Sequence, residues 1–114
     1  MIKLLSCLIP NKFLREKFRL FLNSIQVIFT AKSIGKNLYC GKFSIVNKNT
    51  IIKNNVKLNG IHISGKGNVI LGNYFVGGFE SLIISDSHNY KGEDLPYDST
   101  FILKDTIIED FVWL

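Results

Sequence analysis

Only two cysteines occur in the 114 residues, at positions 7 and 40. Two so placed give neither a metal-ligand spacing nor a disulfide framework, which excludes a zinc module and a stapled secreted domain and makes a reducing compartment the expectation. Cys40 then reads as a small buried hydrophobe. Long apolar runs are missing as well. Arg19, Asn23, Ser24 and Gln26 interrupt the one candidate stretch, so no segment is suited to spanning a bilayer. The apolar part of Met1 to Ile9 is too short for the core of a secretory signal, and the six residues before Cys7 are too few for a lipoprotein leader. Acid is absent from residues 33 to 79, which carry Lys36, Lys42, Lys48, Lys53, Lys57 and Lys66.

What the chain does have is a beat of six. From Ile34 the units Ile34–Tyr39, Cys40–Ile45, Val46–Ile51, Ile52–Lys57 and Leu58–Ile63 each begin with an apolar residue. At 46% hydrophobic content, five in succession would arise by chance in about one trial in fifty. Six residues do not fit a helical period but suit a short strand followed by a tight bend, so a solenoid of strands is expected. The first and fifth positions of each unit point inward: Ile34 and Leu38, Cys40 and Ser44, Val46 and Thr50, Ile52 and Val56, Leu58 and His62. Between them, Lys36-Asn37, Lys48-Asn49 and Asn54-Asn55 offer corners in which Asn tolerates positive φ. The beat returns at Leu71–Val76 and Ile108–Trp113, each time one residue out of phase, which places small insertions between the runs, the first at Ser64–Asn68.

The net charge of +5 lies entirely in residues 1 to 32, where Lys3, Lys12, Arg15, Lys17, Arg19 and Lys32 face Glu16 alone. Residues 80 to 114 hold eight acids against Lys91 and Lys104. Successive units occupy successive faces, so Lys36, Lys42 and Lys48 fall at three different corners and form no single basic patch. A nucleic-acid surface is therefore excluded.

Residues 1 to 32 lack the beat. Leu14, Phe18, Phe21, Leu22, Ile25, Ile28 and Phe29 recur at steps of three and four, which predicts an amphipathic helix interrupted near Pro10 and Asn11. Two roles fit it. One is a cap packed over the first turn of the solenoid; the other is peripheral contact of residues 1–30 with a membrane surface, since Arg15, Lys17 and Arg19 accompany the apolar positions. The division is thus an N-terminal helical segment, 1–32, and a repeat region, 33–114, with a loop at about 85–100.

That loop opens with Ser85-Asp86-Ser87-His88-Asn89-Tyr90 and continues through Gly92 and Pro96, an excursion from the beat. An imidazole there is suited to drawing a proton from a hydroxyl, because it titrates near neutral pH. His62, between two isoleucines of a strand, reads as structural, and Glu93, Asp94 and Asp98 as a solvated acidic stretch with no metal.

The beat together with the Asp86-Ser87-His88-Asn89-Tyr90 run resembles the hexapeptide-repeat acyltransferase family, of the polysaccharide O-acetyltransferase type. The resemblance implies a mainly β chain: a left-handed parallel β-helix with three faces, an exception to the usual right-handed crossover, preceded by the N-terminal amphipathic helix. It implies an acetyl-CoA-dependent O-acetyltransferase acting on a sugar or surface polysaccharide. His88 would be the catalytic base, either Asp86 or a main-chain carbonyl would fix its tautomer, and Asn89 and Tyr90 would line the acceptor site. Trp113 would stand near that site. It further implies a homotrimer in the cytoplasm, at the inner face of the membrane if the helix binds lipid. Family members continue for several coils beyond the unit that Ile108–Trp113 matches, so the chain is expected to be an N-terminal portion of a longer enzyme. The rival expectations are a non-catalytic β-solenoid fragment that self-associates and a membrane-surface adaptor.

Overall fold

The computed structural model describes residue 8, residues 10–89 and residues 100–114. Among the described residues the chain is mainly β, with one helix near the N-terminus, α1 (Lys12–Thr30). Short strands follow: β1 (Ser33–Ile34), β2 (Tyr39–Lys42), β3 (Thr50–Ile52), β4 (Lys57–Asn59), β5 (His62–Ser64), β6 (Val69–Leu71), β7 (Val76–Gly77), β8 (Leu82–Ile84), β9 (Asp86–His88), β10 (Phe101–Leu103) and β11 (Thr106–Ile108). Among the described residues every pairing is parallel except the antiparallel β9–β10 pair.

The pairing order is that of a coil with three strands per turn. One face stacks β1-β3-β6-β11, the second β2-β4-β7, and the third β5-β8, with Ile45 bridged to His62 below them. Strands adjacent in sequence never pair until β9 meets β10. The length of a turn can be read at one corner, where an Asn or Asp side chain of each turn accepts from a backbone N–H of the preceding one. Asn54 Oδ1 takes Lys36 N–H at 2.8 Å, 18 residues back. Asn73 Oδ1 takes Asn54 N–H at 2.9 Å, 19 back, and Asp110 Oδ1 takes Asn73 N–H at 2.7 Å, 37 back. The last step contains an excursion about one full turn long.

Inside, the expected positions carry the core. Cys40, Val46, Ile52, Val56, Leu58, Leu71 and Phe75 are buried, as are the small polar Ser44 and Thr50. Ile34, Leu38, Ile108 and Val112 are partly buried against them. Glycine after an inward residue lets successive turns approach: a Cβ on Gly72 would stand 2.5 Å from the carbonyl carbon of Glu109. At the corner between the first and second faces Asn37 and Asn55 take positive φ (61° each), and in later turns Tyr74 (59°) and Phe111 (62°) do the same. The aromatic pair stacks there at 5.1 Å with rings 7° from parallel, continuing the column that Asn37 Nδ2 and Asn55 Oδ1 begin at 3.0 Å. Asn49 turns without positive φ, because Asn47 Oδ1 accepts its N–H at 3.0 Å and closes the bend locally.

His62 departs from the expected inward set. It is exposed, and Ile61 and Ile63 are buried in its place. The cause is a shortened turn. Ile45 bridges to His62, a step of 62 − 45 = 17, whereas Tyr39 pairs with Lys57, a step of 57 − 39 = 18. The slip occurs within the β2–β4 pair, where Cys40 faces Leu58 but Lys42 faces Asn59, leaving Gly41 as the extra residue, and just beyond it Ser44 Oγ accepts Gly60 N–H at 3.1 Å and Ile61 N–H at 3.3 Å. A one-residue slip exchanges inside and outside along a strand. The lost residue is returned with one more at Ser64–Asn68, since Ile51 pairs with Ile70, a step of 70 − 51 = 19.

The helix caps the first turn, but not with its apolar stripe. Its N-cap is Asn11, whose side chain accepts Phe13 N–H at 2.9 Å and Leu14 N–H at 3.2 Å. Its buried residues are Asn23 and Val27. Asn23 Nδ2 donates to Cys40 O (3.2 Å) and Gly41 O (3.1 Å), and Arg19 donates to Gly41 O (3.1 Å). Gln26 both donates to Val46 O and accepts Val46 N–H, each at 2.8 Å, as a neighbouring strand would. The start of a parallel coil exposes a row of backbone groups that need partners. The polar side of α1 meets that need, while Leu14, Phe21, Ile28 and Phe29 stay outside. No helix among the described residues is long and apolar enough to cross a membrane.

Candidate functional site

The site is built where two breaks in the beat meet. After β8 the chain leaves the coil at Ser85, which is fully buried. Ser85 Oγ donates to Ser64 O at 2.7 Å and accepts Gly67 N–H at 3.1 Å. Asn47 Nδ2 donates to the same hydroxyl at 3.3 Å, and Ser85 O accepts Lys104 N–H at 2.7 Å where the chain returns. The excursion therefore stands on the Ser64–Asn68 insertion of the turn beneath it. Gly65 (φ 96°) is required there: a Cβ would come within 2.7 Å of Ser85 Oγ and 2.8 Å of Asp86 Cγ.

The base of the excursion is a β-hairpin rather than an irregular loop. β9 and β10 pair antiparallel, with Asp86 opposite Leu103 and His88 opposite Phe101, and Asn89 N–H donates to Thr100 O at 3.1 Å. His88 is exposed. Its ring lies 4.8 Å from that of Phe101, tilted by 33°. On the same Phe101 ring sits Lys66 Nζ, 5.6 Å from the centroid. An imidazole and an ammonium are thus collected around one aromatic ring at the surface. Such a pair can take a proton from a hydroxyl and offer positive charge to a neighbouring anionic oxygen.

The remaining expected residues divide. Asp86 is half-buried, and its Oδ2 accepts Lys66 N–H at 3.0 Å, so it fastens the hairpin to the insertion that presents Lys66. Asn89 is half-buried at the hairpin end. Tyr90 lies outside the described residues. Trp113 belongs to another face: it bridges to Val76 on the β2-β4-β7 sheet and is 81% exposed, so within one chain it does not share a face with His88. Lys66, Phe101 and Ser85 were not expected at the site. Their one sequence signal was the insertion at Ser64–Asn68, which marks where the hairpin is seated.

Away from the hairpin, the β1-β3-β6-β11 face carries a ladder of outward isoleucines, Ile51, Ile70 and Ile107. Two shallow grooves of about 350 and 270 Å³ lie over it and share Ile70 and Ile107, one bordered by Lys53 and Asp110, the other by Lys32 and Asp105. Among the described residues no three His, Cys, Asp or Glu side chains could hold a metal ion. Comparison with the models of known families, with curated proteins and with solved structures finds no match to this chain.

Proposed function

We propose that this chain is an acetyl-CoA-dependent O-acetyltransferase of a sugar or surface polysaccharide, built on a left-handed parallel β-helix of the hexapeptide-repeat type. The observation that carries the reading is an exposed histidine on a paired hairpin base that leaves a coil of three strands per turn at a break in its register. The base of that excursion sets an imidazole and an ammonium around the one Phe101 ring.

In this reading His88 accepts the proton of an acceptor hydroxyl as the oxygen attacks the thioester carbonyl of acetyl-CoA. A C–O bond forms, the tetrahedral oxyanion collapses, the C–S bond breaks, and the departing thiolate takes the proton back from the imidazolium. Phe101 fixes the plane of the His88 ring. Lys66 contributes positive charge toward the oxyanion or toward the phosphates of the coenzyme. Acetyl-CoA is an intracellular thioester, which places the reaction in the cytoplasm. In this reading the assembly is a homotrimer.

Release of coenzyme A thiol with sugars as acceptors, followed by a thiol reagent, tests the proposal. His88→Ala is expected to lower the rate by about a hundredfold or more, with circular dichroism verifying that the variant is folded. An unaffected rate removes His88 from the mechanism. A second reading, a non-catalytic solenoid that self-associates, is favoured by the apolar surface of the last turn, where Ile107, Phe111, Trp113 and Leu114 are all exposed. Oligomers that form without any thioester turnover, across the acceptors tried, would select it.

A further inference from the structure

We propose that the outward side of α1 docks flat on an anionic membrane surface. Helices that pack on a domain bury their apolar stripe and show water their polar one; α1 instead turns Asn23 and Val27 inward and leaves much of its apolar stripe outside. Arg19, Asn23 and Gln26 are spent on the backbone of the first turn, and Leu14, Phe21 and Ile28, seven residues apart on one stripe, are 54%, 48% and 45% exposed, with Phe29 at 78%. The helix packs on the first turn through Arg19, Asn23 and Val27, so this stripe faces away from the coil.

Charge identifies the occupant. Arg15 and Lys17 border the stripe on its two sides, and the Lys17 ammonium stands 4.6 Å over the ring of Phe13. The helix carries one acid, Glu16, which is already paired with Arg19 at 2.8 Å. A second copy laid on this stripe would set Arg15 and Lys17 against their own kind with no free carboxylate on the helix between them. A lipid surface with anionic headgroups accepts both the large apolar side chains and the flanking cations.

The test is co-sedimentation of the full chain with phosphatidylcholine vesicles, with and without phosphatidylglycerol. Binding is expected on the anionic vesicles and to weaken with salt. Leu14→Gln/Phe21→Gln/Ile28→Gln keeps every capping hydrogen bond and should lower partitioning tenfold or more. Arg15→Gln and Lys17→Gln should each lower it about fivefold, on anionic vesicles only. Circular dichroism verifies that the helix persists in each variant. Equal binding to neutral vesicles, or a triple variant that binds as well as the parent, overturns the proposal. So does a dimer in lipid-free sedimentation equilibrium that the triple variant abolishes, since the stripe then belongs to a second copy.

Discussion

The two ends of the coil solve the same problem in opposite ways. At the first turn, the backbone groups of Cys40, Gly41 and Val46 are met by Arg19, Asn23 and Gln26, and Val27 closes the core above them without exposed area. At the last turn, Ile108 and Val112 point inward but are only partly buried, and Ile107, Phe111 and Trp113 stand in solvent. Stability in a one-dimensional stack is a sum over neighbouring turns, so side chains of similar size are worth very different amounts at the two ends. A turn with neighbours on both sides confines its residues; a turn with one does not.

The sharpest test of that contrast compares two aromatic residues. Phe75 is fully buried in the third turn, with turns before and after it. Phe75→Ala should lower unfolding free energy by about 3–5 kcal/mol in urea titration, through lost transfer energy and the cavity left behind. Trp113→Ala, at the exposed end, should cost less than about 0.5 kcal/mol. Comparable losses would break the contrast and show that the last turn is covered in solution.

Much of this architecture was legible as spacing, and the failures are instructive because spacing is blind to them. From Cys40 to Leu58 every expected inward residue is buried, since a strand and a bend of fixed length leave no freedom of register. The frame failed at His62, because the β2–β4 pairing slips by one residue between Cys40 and Lys42; a count of six cannot see a bulge. The corner column shows the same limit. Asn37 and Asn55 are natural left-handed residues, whereas Tyr74 and Phe111 take that conformation with their rings stacked on one another and their N–H groups bonded to the turn before, a tertiary compensation. For α1 the period correctly gave the helix and its amphipathic character, and gave no hint that the polar side would be the buried one. That choice belongs to the backbone groups it must satisfy. At the site, His88 was visible as chemistry interrupting a pattern, whereas Phe101 and Lys66 become its neighbours only through the hairpin and the insertion beneath it.

The cap itself can be weakened on the same scale. Gln26→Ala leaves the Val46 N–H and C=O without their partner inside the cap, and should cost about 1–3 kcal/mol. Asn23→Ala strips a donor from Cys40 O and Gly41 O with a similar effect. The two share one interface, so the double variant should fall short of the sum. Urea melts of the three variants measure this, and a loss near zero for Gln26→Ala would mean that water replaces it, making the first turn as open as the last.

Cys40 offers the most selective probe, because among the described residues it is the one thiol and it lies under the cap. Burial pushes its thiol from 9.0 up to about 11, since a thiolate there would lose its water. The folded value stands above the unfolded one, so the neutral thiol's contribution is present in full below pH about 9 and is lost as pH climbs from there toward about 11. In a Cys7→Ser background, unfolding free energy measured against pH should therefore fall by roughly 1–3 kcal/mol more across that window than it does for Cys40→Ala. Alkylation of Cys40 in the folded chain should be correspondingly slow. If the Gln26→Ala variant opens the capped turn to water, the same chain should show both a lower thiol value and faster alkylation, whereas substitutions at Trp113 should change neither. Fast alkylation of the parent chain at neutral pH would mean that the helix does not seal the first turn, and the difference between the two ends would disappear.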